Sequence, residues 1–303
     1  MRRLTGLIIA LAATCVAGPK EFGLAELNKA LGARGVELKI ETELNLDPPE
    51  TFRIEPYPSG RGARITGGDL RGLMYGLIEA ADQIRSTGKI ARVHGEPSIV
   101  LRGVRLALTD SPKFAIDNWR TYVQMLAVAR FNRVTAVLDH FPSELEQSRL
   151  RALSQIAVEH GLDFILGLPP LDAVSKGIDA QAAGVQEADA LTRLLTACPQ
   201  IRGVEIPPEK LKLALHAQHA AGRLISIDLT QKAESTQGGV AVRAPASVAL
   251  DASSTGEVNR RTLTRLDPAV GFKLEVPPED ESNASVYRLW GRLAYDLKPP
   301  SSR

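Results

Sequence analysis

Residues 100–138 read VLRGVRLALTDSPKFAIDNWRTYVQMLAVARFNRVTAVL, and this stretch decides the fold. It contains two apolar runs, at residues 100–108 and 134–138, which predict buried β-strands. Between them, apolar side chains recur at helical spacing over residues 116–130, which predicts an amphipathic helix. The apolar side of this helix comprises Trp119, Tyr122, Val123, Leu126 and Ala127. The order strand, helix, strand predicts a βαβ unit with parallel strands.

The same alternation of strand and helix continues as far as residue 229. Further strands are predicted at residues 164–168, 203–206 and 224–229, and helices at 143–161, 186–197 and 209–221. These strands are continuous apolar runs, which is typical of parallel strands covered on both faces. A complete (β/α)8 barrel takes ~250 residues, with ~200 at the low end, and only about that minimum follows residue 99. We therefore expect a TIM-barrel-like domain that is incomplete or irregular in its second half, where residues 240–242 and 272–276 predict strands and 285–295 a final helix.

The residues before this domain have a different pattern. A helix is predicted at residues 21–34, short strands at 36–40, 52–55 and 63–66, and a strong helix at 69–86 whose N-cap is Asp69. Residues 87–98 are rich in turn formers, and we interpret them as a linker. The expected fold class is α/β, with a small α+β domain over residues 18–90 and the TIM-barrel-like domain over 99–303. The helix at 69–86 is expected to pack on a three- or four-stranded sheet formed by residues 36–66.

The first 17 residues have the pattern of a secretory signal peptide. Arg2 and Arg3 precede a short apolar run, and small residues follow at Cys15-Val16-Ala17. We therefore expect an exported protein, periplasmic or extracellular, that begins near Gly18. An uncleaved N-terminal anchor and a lipid-modified Cys15 are the alternatives. No later apolar run approaches the ~20 residues of a membrane helix, so no membrane span is expected after cleavage.

Charge and cysteine content narrow the function classes. The formal net charge is only +2, with 37 basic and 35 acidic residues, so we expect no nucleic-acid partner.

After residue 17 the one cysteine is Cys198, at the end of a predicted apolar helix, so the mature chain has no internal disulfide. We interpret Cys198 as a buried structural thiol. The glycines at 60, 62, 67 and 68 suit turns rather than a phosphate loop or a dinucleotide fingerprint, and no cofactor is expected.

Two stretches resemble a known group of enzymes. Residues 52–84, FRIEPYPSGRGARITGGDLRGLMYGLIEAADQI, resemble the accessory domain that precedes the barrel in family 20 hexosaminidases and in α-glucuronidases. The matching positions are Gly68, Asp69, Gly72, Leu73, Tyr75 and Gly76. Residues 101–114 and 118–140 are similar to the first βαβ unit of those barrels, through Arg102-Gly103 and Arg130-Phe131-Asn132. The resemblance implies a glycoside hydrolase-like protein, in an intact or a truncated or degenerate form.

The resemblance also implies roles for individual residues. In such barrels the arginine of the first strand contacts a sugar hydroxyl, which makes Arg102 a candidate substrate-binding residue. The hexosaminidases carry an adjacent Asp-Glu acid/base pair after the fourth strand. Here residues 203–210 read GVEIPPEK, so Glu205 is present but the Asp-Glu pair is not. The sequence therefore departs from the hexosaminidase pattern at the residue pair that carries acid/base catalysis in that family.

Barrel active sites lie at the carboxyl ends of the strands, where several polar residues are predicted. These are Asp110, Asp139, His140, Asp172, Glu205, Glu209, Asp228 and Arg243. Glycoside hydrolysis needs two carboxyl groups, one protonated and one ionised, and we predict Glu205 as the acid and Asp228 as its partner. The alternative is that Glu205 ends its strand and pairs with a nearby Arg202 or Arg223.

The histidines give weaker indications. Asp139 and His140 are predicted to bind the substrate, and His140 would either bind a sugar hydroxyl or shuttle a proton. A hydrogen-bonded loop histidine is the alternative. His216 and His219 have a spacing that can bind metal, but no Cys or carboxylate cluster completes a site, so no metal is expected.

Two functions are therefore open. The first is a glycoside hydrolase that cleaves an O-glycosidic bond in an extracellular or periplasmic carbohydrate, favoured by Arg102, Asp139, His140 and Glu205. The second is a catalytically degenerate barrel that binds carbohydrate or serves as a scaffold. The prolines at 207–208 and the small residues at 244–248 favour this second function, because an active barrel would present charge there.

Overall fold

The computed structural model of the protein describes residues 18–108, 114–168, 180–229, 241–243, 250–251, 272–275 and 282–298. The predicted signal peptide and two of the candidate carboxylates, Asp110 and Asp172, lie outside these ranges. The fold is mixed α/β, with a small five-stranded sheet and a larger sheet of eight strands. Within the described ranges, no helix is both long and apolar enough to cross a bilayer.

The small sheet combines strands from both ends of the described chain. Its members are β1 (Lys39–Leu44), β2 (Phe52–Pro56), β3 (Gly62–Gly67), β4 (Val93–Pro97) and β13 (Tyr295–Lys298), in the order β1-β3-β2-β4-β13. The β1–β3 pair is parallel, and the other pairs are antiparallel. The predicted sheet of residues 36–66 is thus present, with two further strands beside it.

Two helices, α1 (Pro19–Arg34) and α2 (Leu70–Thr87), pack together beside this sheet. Helix α2 begins as the sequence predicts, because the Asp69 carboxylate accepts a hydrogen bond from the Gly72 amide at 2.6 Å. Both helices end at a glycine with left-handed backbone, Gly35 and Gly88, where other residues would be strained. The buried side of α2 faces strands β2 and β3 and supplies most of the core of the small domain.

The interpretation of residues 87–98 as a linker was wrong in part, because Val93–Pro97 forms β4. Turn-forming residues obscured this strand. Gly95, for example, stands where a Cβ atom would come within 2.3 Å of the Phe52 ring, so close packing rather than a turn requires glycine there. The final helix, α7 (Ser282–Leu293), is followed by Tyr295, which begins a strand that pairs with β4. The chain therefore returns to the small sheet after the barrel.

The larger sheet contains six parallel strands that curl into half a barrel. They are β5 (Arg102–Ala107), β6 (Arg133–Val137), β7 (Asp163–Gly167), β8 (Ile201–Ile206), β9 (Ser226–Leu229) and β12 (Phe272–Glu275), in the order β12-β5-β6-β7-β8-β9. The predicted βαβ unit is confirmed, since β5 and β6 pair in parallel from Gly103–Arg133 to Ala107–Val137. Two short strands, β10 (Ala241–Arg243) and β11 (Leu250–Asp251), extend the sheet antiparallel at the β12 edge, where parallel strands were expected.

Helices follow the parallel strands in the predicted order. They are α3 (Ile116–Val128), α4 (Glu144–Glu159), α5 (Ala180–Ala197), α6 (Leu211–Ala220) and α7 (Ser282–Leu293). Helix α4 starts with the predicted capping box, in which the Ser143 hydroxyl accepts from the Glu146 amide and the Glu146 carboxylate accepts from the Ser143 amide. Trp119 of α3 is buried against α4 and donates its indole N–H to the Leu153 carbonyl at 3.0 Å.

Candidate functional site

Five charged residues from five parallel strands meet on the concave face of the half-barrel. We call them the concave cluster: Arg105 of β5, Arg133 of β6, Glu205 of β8, Asp228 of β9 and Lys273 of β12. Successive side chains of a strand point to opposite faces. The flanking apolar residues, such as Val104 and Val204, are accordingly fully buried on the side of the helices. The alternation of the sequence thus places charge on one face of the sheet and the helix-packed core on the other.

The cluster is a continuous network of ion pairs. Arg105 Nε lies 2.7 Å from Glu205 Oε1, and Arg133 Nη1 lies 2.8 Å from Asp228 Oδ2. Lys273 Nζ joins the two halves, at 2.7 Å from Glu205 Oε2 and 2.8 Å from Asp228 Oδ2. Because one ammonium contacts both carboxylates, these two oxygens are at most about 5.5 Å apart. The structure therefore brings together the two residues that were predicted as an acid/base pair.

The charges around these carboxylates keep them ionised. Burial alone would raise the pKa of Glu205, but Lys273 and Arg105 outweigh it and hold this pKa below its usual range. Burial likewise opposes the ionised form of Asp228, and Lys273 and Arg133 bring its pKa below the ordinary value. The expectation that one carboxyl would stay protonated near neutral pH was therefore wrong. The reason is that three cations lie on the same face of the sheet and stabilise the ionised form of both carboxyl groups.

The two arginines considered as alternative partners of Glu205 do not pair with it. Arg223 donates to backbone carbonyls, among them Leu195 at 2.6 Å and Ile201 at 2.7 Å. Arg202 is exposed beside the start of β8. The partners of Glu205 come instead from β5 and β12, across the half-barrel.

Arg102 does not belong to this group. It lies three positions from Arg105 on the same strand, so its side chain points to the other face, and it is fully buried. Its guanidinium donates to the carbonyls of Arg130 and Ile99, both at 2.7 Å, and to the Glu50 carboxylate. This position contradicts the prediction that Arg102 lines a cleft with Glu205 and Asp228. Arg102 instead links the first barrel strand to the small domain through these hydrogen bonds.

Glu50 is the centre of that junction. Its carboxylate accepts hydrogen bonds from Arg102, from Arg71 Nη1 at 2.7 Å and from Asn132 Nδ2 at 2.9 Å. Arg71 also pairs with Asp163 at 2.9 Å. Arg102, Asn132 and Asp163 stand at or beside the starts of β5, β6 and β7, so the small domain contacts the amino-terminal edge of the parallel sheet. Several residues that carry the sequence resemblance, among them Arg102 and Asn132, are thus part of the contact between domains.

Asp139 and His140 lie in an exposed turn after β6. His140 Nδ1 lies 2.5 Å from Asp139 Oδ1, and its Nε2 lies 3.0 Å from Glu146 Oε1. Glu146, and then Asp139, raise the pKa of His140 by hydrogen bonding to its charged form. Among the described residues, no hydrogen bond or ion pair joins this turn to the concave cluster. These contacts match the alternative of a hydrogen-bonded loop histidine, and the sugar-binding role stays a prediction.

The described residues contain neither a metal-ligand cluster nor an activated thiol. In the part of the chain that the structure describes, no group of three or more His, Cys, Asp or Glu residues could hold a metal ion. Cys198 is fully buried, as the sequence predicts, and burial raises the pKa of its thiol. A raised pKa disfavours the thiolate, which is the reactive form.

Comparison with known proteins supports the fold. No family model and no curated protein matches the chain. Among solved structures, 68% of the chain aligns with 33% of a GH138 enzyme targeting pectin rhamnogalacturonan II, at 17% identity and a TM-score of 0.55. CpGH84D aligns over 69% of this chain and 44% of its own, at 10% identity and a TM-score of 0.51. A family 20 β-N-acetylglucosaminidase aligns over 68% and 59%, at 14% identity and a TM-score of 0.49.

The fold resembles those of the GH138 enzyme and of CpGH84D. The identities are too low to assign the chain to one family, and the chain spans between a third and three-fifths of the length of the three structures.

Three cations of the half-barrel were not predicted from the sequence: Arg105, Arg133 and Lys273. Lys273 stands between the buried Phe272 and Leu274, and a charged residue at an alternate position of a buried strand indicates an inward-facing charge.

Proposed function

We propose that the protein is an exported, glycoside hydrolase-like barrel that binds carbohydrate at its concave face without using Glu205 and Asp228 as an acid/base pair. The observation that carries this proposal is the contact of Lys273 Nζ with both carboxylates. Of the two functions that the sequence leaves open, this contact favours the catalytically degenerate barrel.

Hydrolysis of a glycosidic bond depends on a proton donor. Cleavage of a glycosidic bond needs a general acid that is protonated at the working pH and donates to the leaving oxygen. Glu205 and Asp228 each accept hydrogen bonds from two cationic side chains, and both have lowered pKa values. A carboxyl group in this state has no proton to give near neutral pH.

The same cluster is suited to binding. Sugar hydroxyls both donate and accept hydrogen bonds, and the concave cluster offers cationic donors beside carboxylate acceptors. Its side chains are not fully enclosed by the described residues, since Arg105 is 17% and Asp228 24% exposed. A bound sugar would replace part of the ion-pair network with hydrogen bonds to its hydroxyls.

Hydrolysis remains the second candidate, favoured by one specific observation. Two oxygens of Glu205 and Asp228 are at most about 5.5 Å apart, so their spacing does not exceed the ~5–5.5 Å between the carboxyl groups of retaining glycosidases. One solved structure with a similar fold is a GH138 enzyme. For this function, substrate binding would have to displace Lys273 from one carboxylate and allow it to take up a proton.

One set of variants separates the two candidates. The full chain is tested for release of reducing sugar on aryl glycosides and polysaccharides, and for glycan binding by calorimetry, together with Glu205→Gln, Asp228→Asn and their combination. Glu209→Gln is the matched control, because Glu209 follows the same strand but is exposed. The binding function predicts no hydrolysis by the parent, and an affinity that falls at least tenfold in the combined variant but not in the control.

Two other results are decisive. Hydrolysis by the parent that is lost in Glu205→Gln and kept in Glu209→Gln would establish the second candidate. A parent that neither binds nor cleaves any glycan of the panel would overturn both. Export is tested separately, by N-terminal sequencing of the protein from its natural cells. A chain that begins near Gly18 and is found outside the cytoplasm is the expected result, and an intact Met1 in the cytosol would contradict it.

A further inference from the structure

A groove runs between the small domain and the barrel, away from the concave face. Helices α1 and α2 form one wall, and the other consists of α3, α7 and the turn that follows α3. Two adjoining cavities, of about 460 and 620 Å³, share the residues Asp82, Arg85, Arg130 and Arg292. Each volume lies in the ~300–1,000 Å³ range of small-molecule sites. We call this region the interdomain groove.

The acidic residues of the groove are already neutralised. Arg85 pairs with Glu26 at 2.5 Å and with Asp82 at 2.9 Å. Glu79 pairs with Arg130. Each carboxylate that lines the groove therefore has a cationic partner within the protein.

Three cations that line the groove have no ion-pair partner among the described residues. Lys29 of α1 and Arg288 and Arg292 of α7 line the first cavity, and none of them forms an ion pair with a described residue. Arg288 and Arg292 are four residues apart on one helix, so they lie on the same face and extend toward the same space. Like charges at this spacing repel each other, and an anion between them would relieve that repulsion.

Arg130 provides an independent indication of a ligand. It lines both cavities and is only 5% exposed, with its backbone in the left-handed region at φ 63°. One guanidinium nitrogen pairs with Glu79, and the guanidinium lies 5.3 Å from the centre of the Tyr295 ring. Its Nε–H is buried but has no acceptor among the described residues. A buried donor without an acceptor costs about 1–3 kcal/mol, and an anionic oxygen would satisfy it once a small shift of the side chain opens Nε to the groove.

We propose that the interdomain groove binds a small polyanion that carries at least two oxyanion groups. One group accepts from Arg130 Nε at the buried end, and the second pairs with Arg288 and Arg292 at the open end. Met125 and Val128 supply an apolar wall between these points for the body of the ligand. Carboxylates, sulfates and phosphates share this chemistry, because guanidinium groups bind all three through charge-assisted hydrogen bonds. The site does not depend on the concave cluster or on carbohydrate binding there.

The test measures binding of four probes to the full chain by calorimetry. The probes are a galacturonic acid trimer for carboxylates, a disulfated disaccharide for sulfates, inorganic pyrophosphate for phosphates, and neutral maltotriose. The main variant is Arg288→Gln with Arg292→Gln, both on an exposed helix face. The matched control is Arg193→Gln with Arg202→Gln, which removes the same charge from exposed positions outside the groove. Arg130→Lys keeps the charge opposite Glu79 but removes the Nε–H.

At least one of the anionic probes is expected to bind, and maltotriose is not expected to bind in the groove. The Arg288/Arg292 variant should weaken the anion at least tenfold, Arg130→Lys should weaken it severalfold, and the control should leave it unchanged. Which probe binds most tightly identifies the oxyanion. Equal loss in the main variant and in the control would show attraction by net charge alone and overturn the proposal, as would binding of none of the three anions. Melting temperatures confirm that each variant is folded, and the α7 variant decides the question if Arg130→Lys is not.

Discussion

Arg102 on the first barrel strand donates a hydrogen bond to the carboxylate of Glu50, in the loop between β1 and β2 of the small domain. Both side chains are almost completely buried, and the Tyr295 hydroxyl donates to the backbone carbonyl of the same Glu50. Three segments that are distant in sequence thus meet at one residue. This arrangement joins the small domain to the amino-terminal edge of the parallel strands and leaves their opposite edge to the loops.

Arg102→Met should destabilise the protein severely. Removing one partner of a buried ion pair leaves the other charge uncompensated, at a cost of about 3–5 kcal/mol. Urea unfolding measures the loss. Arg53→Met is the matched control, because Arg53 pairs with Asp47 but is 52% exposed, and surface pairs contribute about 0–1 kcal/mol. Equal midpoints for the two variants would contradict a structural role of the Glu50 junction.

The junction and the concave cluster together predict a loss of stability in acid. The pKa of Glu50 is lowered, because Arg102 and Arg71 outweigh the opposing effect of burial, and the pKa values of Glu205 and Asp228 are lowered in the same way. A lowered pKa in the folded state stabilises the protein above the unfolded-state pKa, near 4 for carboxyl groups, and this contribution is lost as the pH falls through the folded value. The contribution of these three carboxylates to the free energy of unfolding should therefore be flat from pH 7 to about 5 and fall steeply below about 4.

Glu50→Gln tests the origin of this dependence. Its free energy of unfolding should be lower at neutral pH and should change less with acid than that of the parent, because one of the three titrating groups is gone. Urea unfolding at a series of pH values measures how the free energy of unfolding changes with pH in the parent and in the variant. The same pH dependence in both proteins would show that Glu50 is not ionised in the folded protein.

The order of helices and strands could be predicted from sequence because it depends on local patterns. Apolar spacing located α3 and the strands on either side of it, and Asp69 and Ser143 marked the starts of α2 and α4. The strand β13 was missed because its pairing with β4 joins segments about 200 residues apart, and no local pattern encodes that contact. The edge strand β10 was expected to be parallel, but it pairs antiparallel with β12, and the local pattern of a three-residue strand does not encode its direction.

The candidate site was predictable in part. Glu205 and Asp228 lie on neighbouring strands of a parallel sheet, so their proximity could be inferred from topology. Their ionisation could not, since it depends on Lys273, which is 68 positions from Glu205 in sequence. The side chain of Arg102 was assigned to the wrong face of β5, because a sequence motif identifies a residue but does not show which face of the strand its side chain occupies.

Lys273→Met should destabilise the protein and change the titration of the cluster. Glu205 would keep only Arg105 and Asp228 only Arg133 among their described cationic partners, so the pKa of each carboxyl should rise. The cost is expected to be about 3 kcal/mol, the lower end for a broken buried pair. A triple variant that adds Glu205→Gln and Asp228→Asn should lose more than Lys273→Met alone, because it also removes the carboxylates that pair with Arg105 and Arg133. Urea unfolding of both proteins checks the order, and the reverse order would contradict the ion-pair network.

Gly291→Ala should destabilise the contact between α7 and the end of α3. A Cβ atom at Gly291 would lie 1.6 Å from the carbonyl oxygen of Ala129, so α7 would have to move away. Overpacking of this kind costs about 1–3 kcal/mol, and sometimes more. Gly184→Ala in α5 is the control, because a Cβ atom there meets nothing within 4 Å, and alanine is favoured over glycine in a helix by about 1 kcal/mol. The two substitutions should therefore shift the urea midpoint in opposite directions.

Because Ala129 and Arg130 also line the interdomain groove, Gly291→Ala should weaken binding of the polyanion as well, whereas Gly184→Ala should not.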